Sequence, residues 1–475
     1  MTAETLMRAR ALRARLQGEL VLPGDESWDE ARQAWNLAVD QRPAAVALPE
    51  TVDDVVAIVD FAREHGLRVA PQGTGHNAGP LGWLDETILL KTSRMRRVEI
   101  DPESRRARVE AGVLWMEVTG PAAEHGLATL AGSSPDVGVV GYSLGGGISW
   151  LSRKLGLAAN SVTAIELVTA DGRHVRCDAE HEPELFWALR GGGGNFGVVT
   201  SIDFRLYPIS EVYAGWLIFP IERAPEILTA WQRWTETVPD EMTSVGRILN
   251  IPPLPTVPEP LRGRSVAVIE TIYIGDEAEA AELLAPLRAL GAEIDTHATI
   301  PVTGLQKLHM DPEEPVPGKG DGMMLDSLTP EAIMQITEIA TPDSPLLSVE
   351  VRHVGGELAR TAPGSGVLGS LDAAYAMFAV GIPMSPQSAE GIERDISRLQ
   401  RALARWDSGR MYLNFAEHPR SGRSLFGEDG YARLRRVKTE VDPENVFHAN
   451  HQVEPAHAGR RGGRRRLAEQ QKRAA

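Results

Sequence analysis

The chain has 475 residues, 43% of them hydrophobic and 24% charged, with a formal net charge of −16. That length suffices for two or three domains, or for one large protein with an inserted domain, and the composition is that of a globular chain with a full core. The negative charge argues against nucleic-acid binding by the body, no run of 18 apolar residues is present to span a membrane, and the lone Cys177 cannot form an intrachain disulfide.

Residues 1–17 alternate arginines with apolar residues but lack a continuous apolar core, so they read as a short helix rather than a signal peptide. A cytoplasmic location is expected. Residues 44–126 read as strand, helix, strand, strand, hairpin, helix. Thr51 can cap the helix Val52–Glu64, whose Val55, Ile58, Val59 and Ala62 recur at helical spacing, and Gly66 ends it. A short β-type run at 67–70 then leads into Pro71-Gln72-Gly73-Thr74-Gly75-His76-Asn77-Ala78-Gly79, with another strand at 87–90. Its glycines let backbone N–H groups turn toward an anion. A phosphate-cradling loop does not require a histidine, so His76 is either a surface residue on a glycine turn or a residue with a chemical task.

Residues 97–101 and 105–110 form a hairpin around Pro102-Glu103-Ser104. A second hairpin, 162–169 with 173–178, turns at Ala170-Asp171-Gly172 and holds Cys177 as a packed small hydrophobe. Residues 198–207 give a further strand, and 208–212 a boundary. Beyond it come strand 213–219, helix 224–237, strands 244–250 and 265–273, helix 277–290, strand 347–353 and helix 389–406. Pro252-Pro253-Leu254-Pro255 marks a loop between two of these strands. The end, 457–475, has seven Arg or Lys against one Glu and reads as a disordered, solvated extension. No internal repeat and no metal-ligand cluster is evident.

Two motifs spell familiar sites but sit in the wrong surroundings. Gly192-Gly193-Gly194-Asn195-Phe196-Gly197 matches G-x-G-x-x-G, yet a helix precedes it and a strand follows, the reverse of a dinucleotide crossover. Gly141-Tyr142-Ser143-Leu144-Gly145 matches the nucleophile elbow of a serine hydrolase, with Asp442 and His448 or His451 downstream in the Ser…Asp…His order. Against that alternative, Pro135-Asp136-Val137-Gly138 makes a poor buried strand, Gly146 and Gly147 weaken the helix an elbow launches, and no upstream His-Gly-Gly segment offers an oxyanion hole. The glycines suit a helix start presenting N–H groups to a pyrophosphate.

Taken together, several blocks resemble the FAD-linked oxidases of the vanillyl-alcohol-oxidase/PCMH superfamily, in the berberine-bridge-enzyme-like branch that includes 6-hydroxy-D-nicotine oxidase. They are the lead-in 36–43, the loop Gly73–Gly79 with His76, the stretch 131–141 followed by Gly145-Gly146-Gly147, and a closing block of Leu434, Val437-Lys438, 442–447 and Asn450. The resemblance implies an α+β fold: a two-part PCMH-type FAD-binding domain plus an inserted substrate domain whose antiparallel sheet is covered by helices. In those terms residues 1–39 are a helical lead-in, 40–210 the FAD-binding domain, 211–408 the roof, 409–455 a segment returning to the FAD domain, and 456–475 the basic tail.

It further implies FAD bound by Gln72, Gly73, Thr74, Gly75, His76, Asn77, Gly132, Ser133, Ser134, Asp136, Val137, Gly138, Gly141, Tyr142, Gly146, Gly147, Gly194, Gly197, Val198, Val199, Asn414 and Asn450. His76 corresponds to the residue joined to the flavin 8α carbon. Ser134 stands where bicovalent members carry a second, cysteinyl link, so a single histidyl bond is expected, with a mild preference for a small or enclosed substrate. The reaction implied is hydride abstraction from a C–H next to O or N of a small molecule, with O2 as acceptor and H2O2 as product. A dehydrogenase using another acceptor is the alternative, and the protein is expected as monomer or homodimer. Tyr412-Leu413-Asn414-Phe415 resembles the family's Tyr-x-Asn-Tyr segment, which makes Tyr412 the first candidate for the catalytic base. From the roof strand, Glu350 and Arg352 share one face, and Glu350 is the second candidate, while His353 reads as an ordinary polar residue.

Overall fold

The computed structural model describes residues 3–456 apart from Thr256 and Pro258, so the basic tail from 457 onward lies outside the described residues. Among the described residues the strands form three sheets. The first orders Glu19–Val21, Ala45–Leu48, Thr87–Lys91 and Arg68–Gln72, its last three strands parallel. Helix Val52–Glu64 packs Val55, Ile58, Val59 and Ala62 against it, and its start is a capping box in which Thr51 accepts from the Asp54 N–H. The second sheet pairs Val98–Asp101, Arg106–Glu110, Val198–Arg205, Val162–Val168 and His174–Asp178, all antiparallel, which includes both hairpins read from the sequence.

The third sheet is antiparallel, in the order Ile294–Asp295, Glu211–Pro220, Ser265–Tyr273, Met242–Asn250, Ser348–His353, Tyr375–Gly381 and Lys319–Leu325, with Ala298–Pro301 added beside Glu211–Pro220. One face is covered by the helices Ala224–Thr235, Glu277–Arg288, Pro330–Ile339 and Pro386–Ala402. Strand alternation sorts the side chains. Ile248, Val349, Val351, Met377 and Ala379 enter the core beneath the helices. Their neighbours Arg247, Leu249, Ser348, Glu350, Arg352, Phe378 and Val380 line a cavity on the other face. The fold is thus α+β, with an antiparallel sheet covered by helices standing over two smaller sheets.

The end of the chain returns to the first sheet. Val69 bridges Phe447, the Val69 N–H donates to the Val446 carbonyl, and the His448 N–H donates to that of Val69. Lys438 and Asp442 form a fully buried pair at 2.6 Å, and the ammonium also donates to the Asn195 carbonyl at 2.7 Å. The second oxygen and its neighbour accept the N–H groups of Val446 and Phe447. A buried charge of this kind persists only because each polar atom is matched. No described helix is long and apolar enough to cross a membrane.

Candidate active site

Strand Arg68–Gln72 ends on the glycine loop, and this loop forms one wall of a cavity of about 830 Å³. Gln41 and Gln72 exchange amide hydrogen bonds at the strand's end and fix where the loop departs. On the loop, His76 lies with its ring stacked on Trp35, centroids 3.9 Å apart. Its Nδ1 is 2.7 Å from the Thr74 hydroxyl, and its Nε2 is 3.5 Å from Asp136 Oδ1 without a hydrogen bond. Trp35 and Ser134 both donate to the Asp136 carboxylate. Burial would raise that carboxyl, but the nearby His76 imidazole and the hydrogen bonds from Trp35 and Ser134 outweigh it and hold it below the ordinary range.

Whether the cavity suits FAD can be tested on its lining. Cβ atoms placed on Gly73, Gly141 and Gly194 would meet no protein atom within 4 Å, so these backbones face open space. Nearby, His76 Nε2, Asn77 Oδ1 and the Tyr142 hydroxyl are buried without a protein partner. Open glycine backbones and orphaned polar atoms along one long cavity match the needs of a dinucleotide, and the volume lies within the range of ligand sites. The residues present fit the group.

The sheet face supplies the titratable groups. Glu350 Oε1 accepts from Arg352 Nε at 2.7 Å, and Oε2 lies 2.5 Å from His309 Nε2. His309 Nδ1 is 2.6 Å from Glu270 Oε2, whose other oxygen is 3.2 Å from Arg247 Nη1. Burial opposes the charge on His309, but Glu270 and Glu350 on its two nitrogens lift it to about 9. Burial likewise opposes ionised Glu350, yet Arg352 and His309 drive its carboxyl far below the usual range.

Tyr412 is buried at the cavity wall, and three N–H groups converge on its phenol oxygen: those of Gly147 at 2.9 Å, Ile148 at 3.0 Å and the Asn414 amide at 3.1 Å. Burial pushes the phenol up to about 12 although all three donors and Arg352 pull the other way. The segment is held by Asn77, whose amide donates to the carbonyls of Leu413 and Ala416.

The cavity brings together most of the residues read from the sequence: 72–77, Gly132, Ser133, Ser134, Val137, Gly138, Gly141, Tyr142, Gly194, Gly197, Val199, Glu350, Tyr412, Asn414 and Asn450 all line it. Four do not. Val198 points the opposite way from Val199 on the same strand and packs beneath the first sheet, because neighbours on a strand face opposite sides. Asp136 stands behind His76, and Gly146 and Gly147 form the turn that aims N–H groups at Tyr412. Glu350 needs a correction as a base: both its oxygens are committed to cations, which leaves it a very weak proton acceptor. His353 is packed against Arg153 and Tyr375, off the cavity, and burial pushes it down to about 3.

The hydrolase constellation does not assemble. Ser143 is buried within helix Val139–Leu144, Asp442 serves Lys438, and His448 and His451 face the carbonyls of Leu81 and Ala416. Sequence reasoning missed Arg247, His309 and Glu417. Glu417 lines the same cavity, and burial beside Asp321 raises its carboxyl to about 8. Only its position two residues beyond Phe415 in the Tyr412 segment could have drawn attention to it.

Comparison with known proteins agrees with this geometry. The family described as "FAD binding domain" matches residues 43–178, and "Berberine and berberine like" matches 411–454. The (R)-6-hydroxynicotine oxidase of Paenarthrobacter nicotinovorans is 28% identical over 93% of this chain and 97% of its own. The solved 6-hydroxy-D-nicotine oxidase of Arthrobacter nicotinovorans superimposes with a TM-score of 0.80 at 26% identity, covering 92% of this chain and 98% of that one. The BBE-like 1 protein of Physcomitrella patens shares the fold with a TM-score of 0.84 at 22% identity, covering 94% and 99%.

Proposed function

The chain belongs to the berberine-bridge-enzyme-like FAD-linked oxidoreductases, and we propose that it oxidises a small molecule with a single FAD attached through His76 alone. The observation that carries the reading is one cavity lined both by the His76 loop with its open glycine backbones and by Tyr412 with its three N–H donors. In this reading residues 40–210 and 409–455 hold the cofactor and 211–408 roof it. Ser134 cannot form a thioether, and Cys177 is buried in the second sheet, its thiol raised to about 12 by burial. Thr74 and Asp136 orient the imidazole, and Trp35 closes its far side.

FAD held by the His76 loop and the open glycine backbones would supply the redox chemistry, hydride acceptance from a C–H next to O or N with reoxidation by O2 to H2O2. The protein's task is the proton. Tyr412 is the candidate to accept it from the substrate O–H or N–H: that role requires the phenolate, which the three donors on its oxygen and Arg352 favour and burial opposes. Glu350 remains ionised and fixes Arg352 and His309 rather than taking the proton. Glu417, whose carboxyl exchanges its proton near neutrality, is the next group in line.

An oxidase screen tests the reading: small alcohols, N-heterocycles such as hydroxylated pyridines, amines and sugars are supplied and H2O2 is followed, with anaerobic bleaching of the flavin in parallel. Bleaching by at least one compound with H2O2 on readmission of air supports it. Bleaching without H2O2 favours a dehydrogenase with another acceptor. A flavin that only dithionite reduces contradicts the enzyme reading.

A further inference from the structure

Five groups on and against the sheet face, buried except for the partly buried Arg352, form an unbroken line of alternating charge: Arg352, Glu350, His309, Glu270 and Arg247. Each glutamate spends both oxygens inside the line, and His309 uses both nitrogens. The line therefore begins and ends on a guanidinium. Its two ends differ. Arg247 donates to Ser348 Oγ, the His309 carbonyl and Glu270, so its fork is mostly occupied. Among the described residues the hydrogen bond that Arg352 makes is through Nε, to Glu350, and none runs from its two Nη groups. Its guanidinium carbon lies 5.2 Å from the ring centroid of Phe415 and 5.9 Å from that of Trp150, and the residue lines the cavity close to Tyr412.

We infer that Arg352 is the anchor for an acidic substrate, and that the molecule oxidised is a small carboxylic acid with an apolar body. This rests on the flavin-oxidase reading of the same cavity. A guanidinium fixed at Nε and flanked by rings presents its Nη edge in the geometry that a carboxylate accepts as a bidentate pair.

The other carboxyl groups on the cavity do not serve this purpose. Asp311 accepts from Ser133 and makes no hydrogen bond to either arginine, although its charge favours the cationic forms of Arg352 and His309. Glu417 packs beside Asp321 and is largely protonated at pH 7. From Arg352 the surface continues as Phe378, Val380, Leu249 and Ile251, which gives an apolar chain or ring a place to lie but offers few partners to a sugar's hydroxyls.

The test uses the flavin-loaded protein and a panel of straight-chain and phenyl-substituted carboxylic acids of six to ten carbons, each beside its primary amide. Binding is read from the flavin's visible spectrum and, independently, from the thermal shift of the protein. The acids should bind at least about tenfold tighter than their amides, the worth of one charge-assisted hydrogen bond. Arg352→Gln should erase that preference, and Arg352→Lys, which keeps a point charge without the fork, should restore part of it. Amides that bind as well as acids, a panel in which no acid binds, or a preference that survives Arg352→Gln overturns the inference. Protein that purifies without flavin but still shows an Arg352-dependent acid preference by thermal shift would instead overturn the flavin-oxidase reading and leave the anchor standing.

Discussion

At Tyr412 the hydroxyl can be removed without disturbing the packing around the ring. Its neighbours Ile148, Leu368 and Phe415 touch carbon, so a Tyr412→Phe protein should keep its packing and its flavin while losing about 1–3 kcal/mol of stability from the N–H groups left without their acceptor. Loss of a general base slows reactions about 10²–10⁴-fold, so flavin reduction in stopped flow should fall within that range with little change in substrate Kd. A rate within about threefold of the parent would move the proton to Glu417. His309 carries a pH prediction. Its pKa in the fold, about 9, lies above the ordinary 6.5, so its contribution to stability is complete below pH 6.5 and is lost as pH rises through 9. The melting temperature should therefore decline between pH 7 and 10, and His309→Gln should be less stable at pH 7 and show a flatter decline. Equal slopes in the two proteins would contradict the charged state of the imidazole. Neither His309 nor Arg247 was legible beforehand, since residues 39 and 23 positions from Glu270 meet it only through strand pairing and the loop after Leu305–Leu308.

Elements were more readable than contacts. Helix Val52–Glu64 and the two hairpins of the second sheet were evident from capping, periodicity and turn residues, because those signals are local. Strand Lys319–Leu325 was not read from the sequence, since Gly320 and Gly322 lower its strand propensity. Their missing side chains instead admit Phe378 and Phe415, which a Cβ would meet at 2.7 Å in each case. Helix Pro330–Ile339, with Thr329 as cap and proline in its first turn, carried a usable start signal that went unread. At the turn 145–147 the reason for glycine lies in both backbone and space. Gly147 has φ of 79°, and a Cβ there would come within 2.5 Å of the Tyr142 ring and 2.7 Å of Ala158. Its N–H is also a donor to Tyr412. Gly147→Ala should cost about 1–3 kcal/mol, measured by urea denaturation of the holoprotein, and should weaken flavin retention. A variant of unchanged stability would mean that this turn is not constrained as described.

On the scale of the whole molecule, the cavity lies where the face of the third sheet meets loops from the other two, and the segment carrying Tyr412 and Asn414 closes it. Chain order alone conveyed this arrangement only through family resemblance, since residues 76, 142, 350 and 412 share no local pattern. What the fold contributes is juxtaposition: a histidine beside open glycine backbones, and a phenol held by backbone donors from the adjoining turn. The claim on which the rest depends is attachment of FAD at His76. Intact mass under denaturing conditions tests it most directly. The yellow parent protein should carry one FAD on the polypeptide and His76→Ala none; a yellow parent that shows the bare polypeptide mass would contradict it.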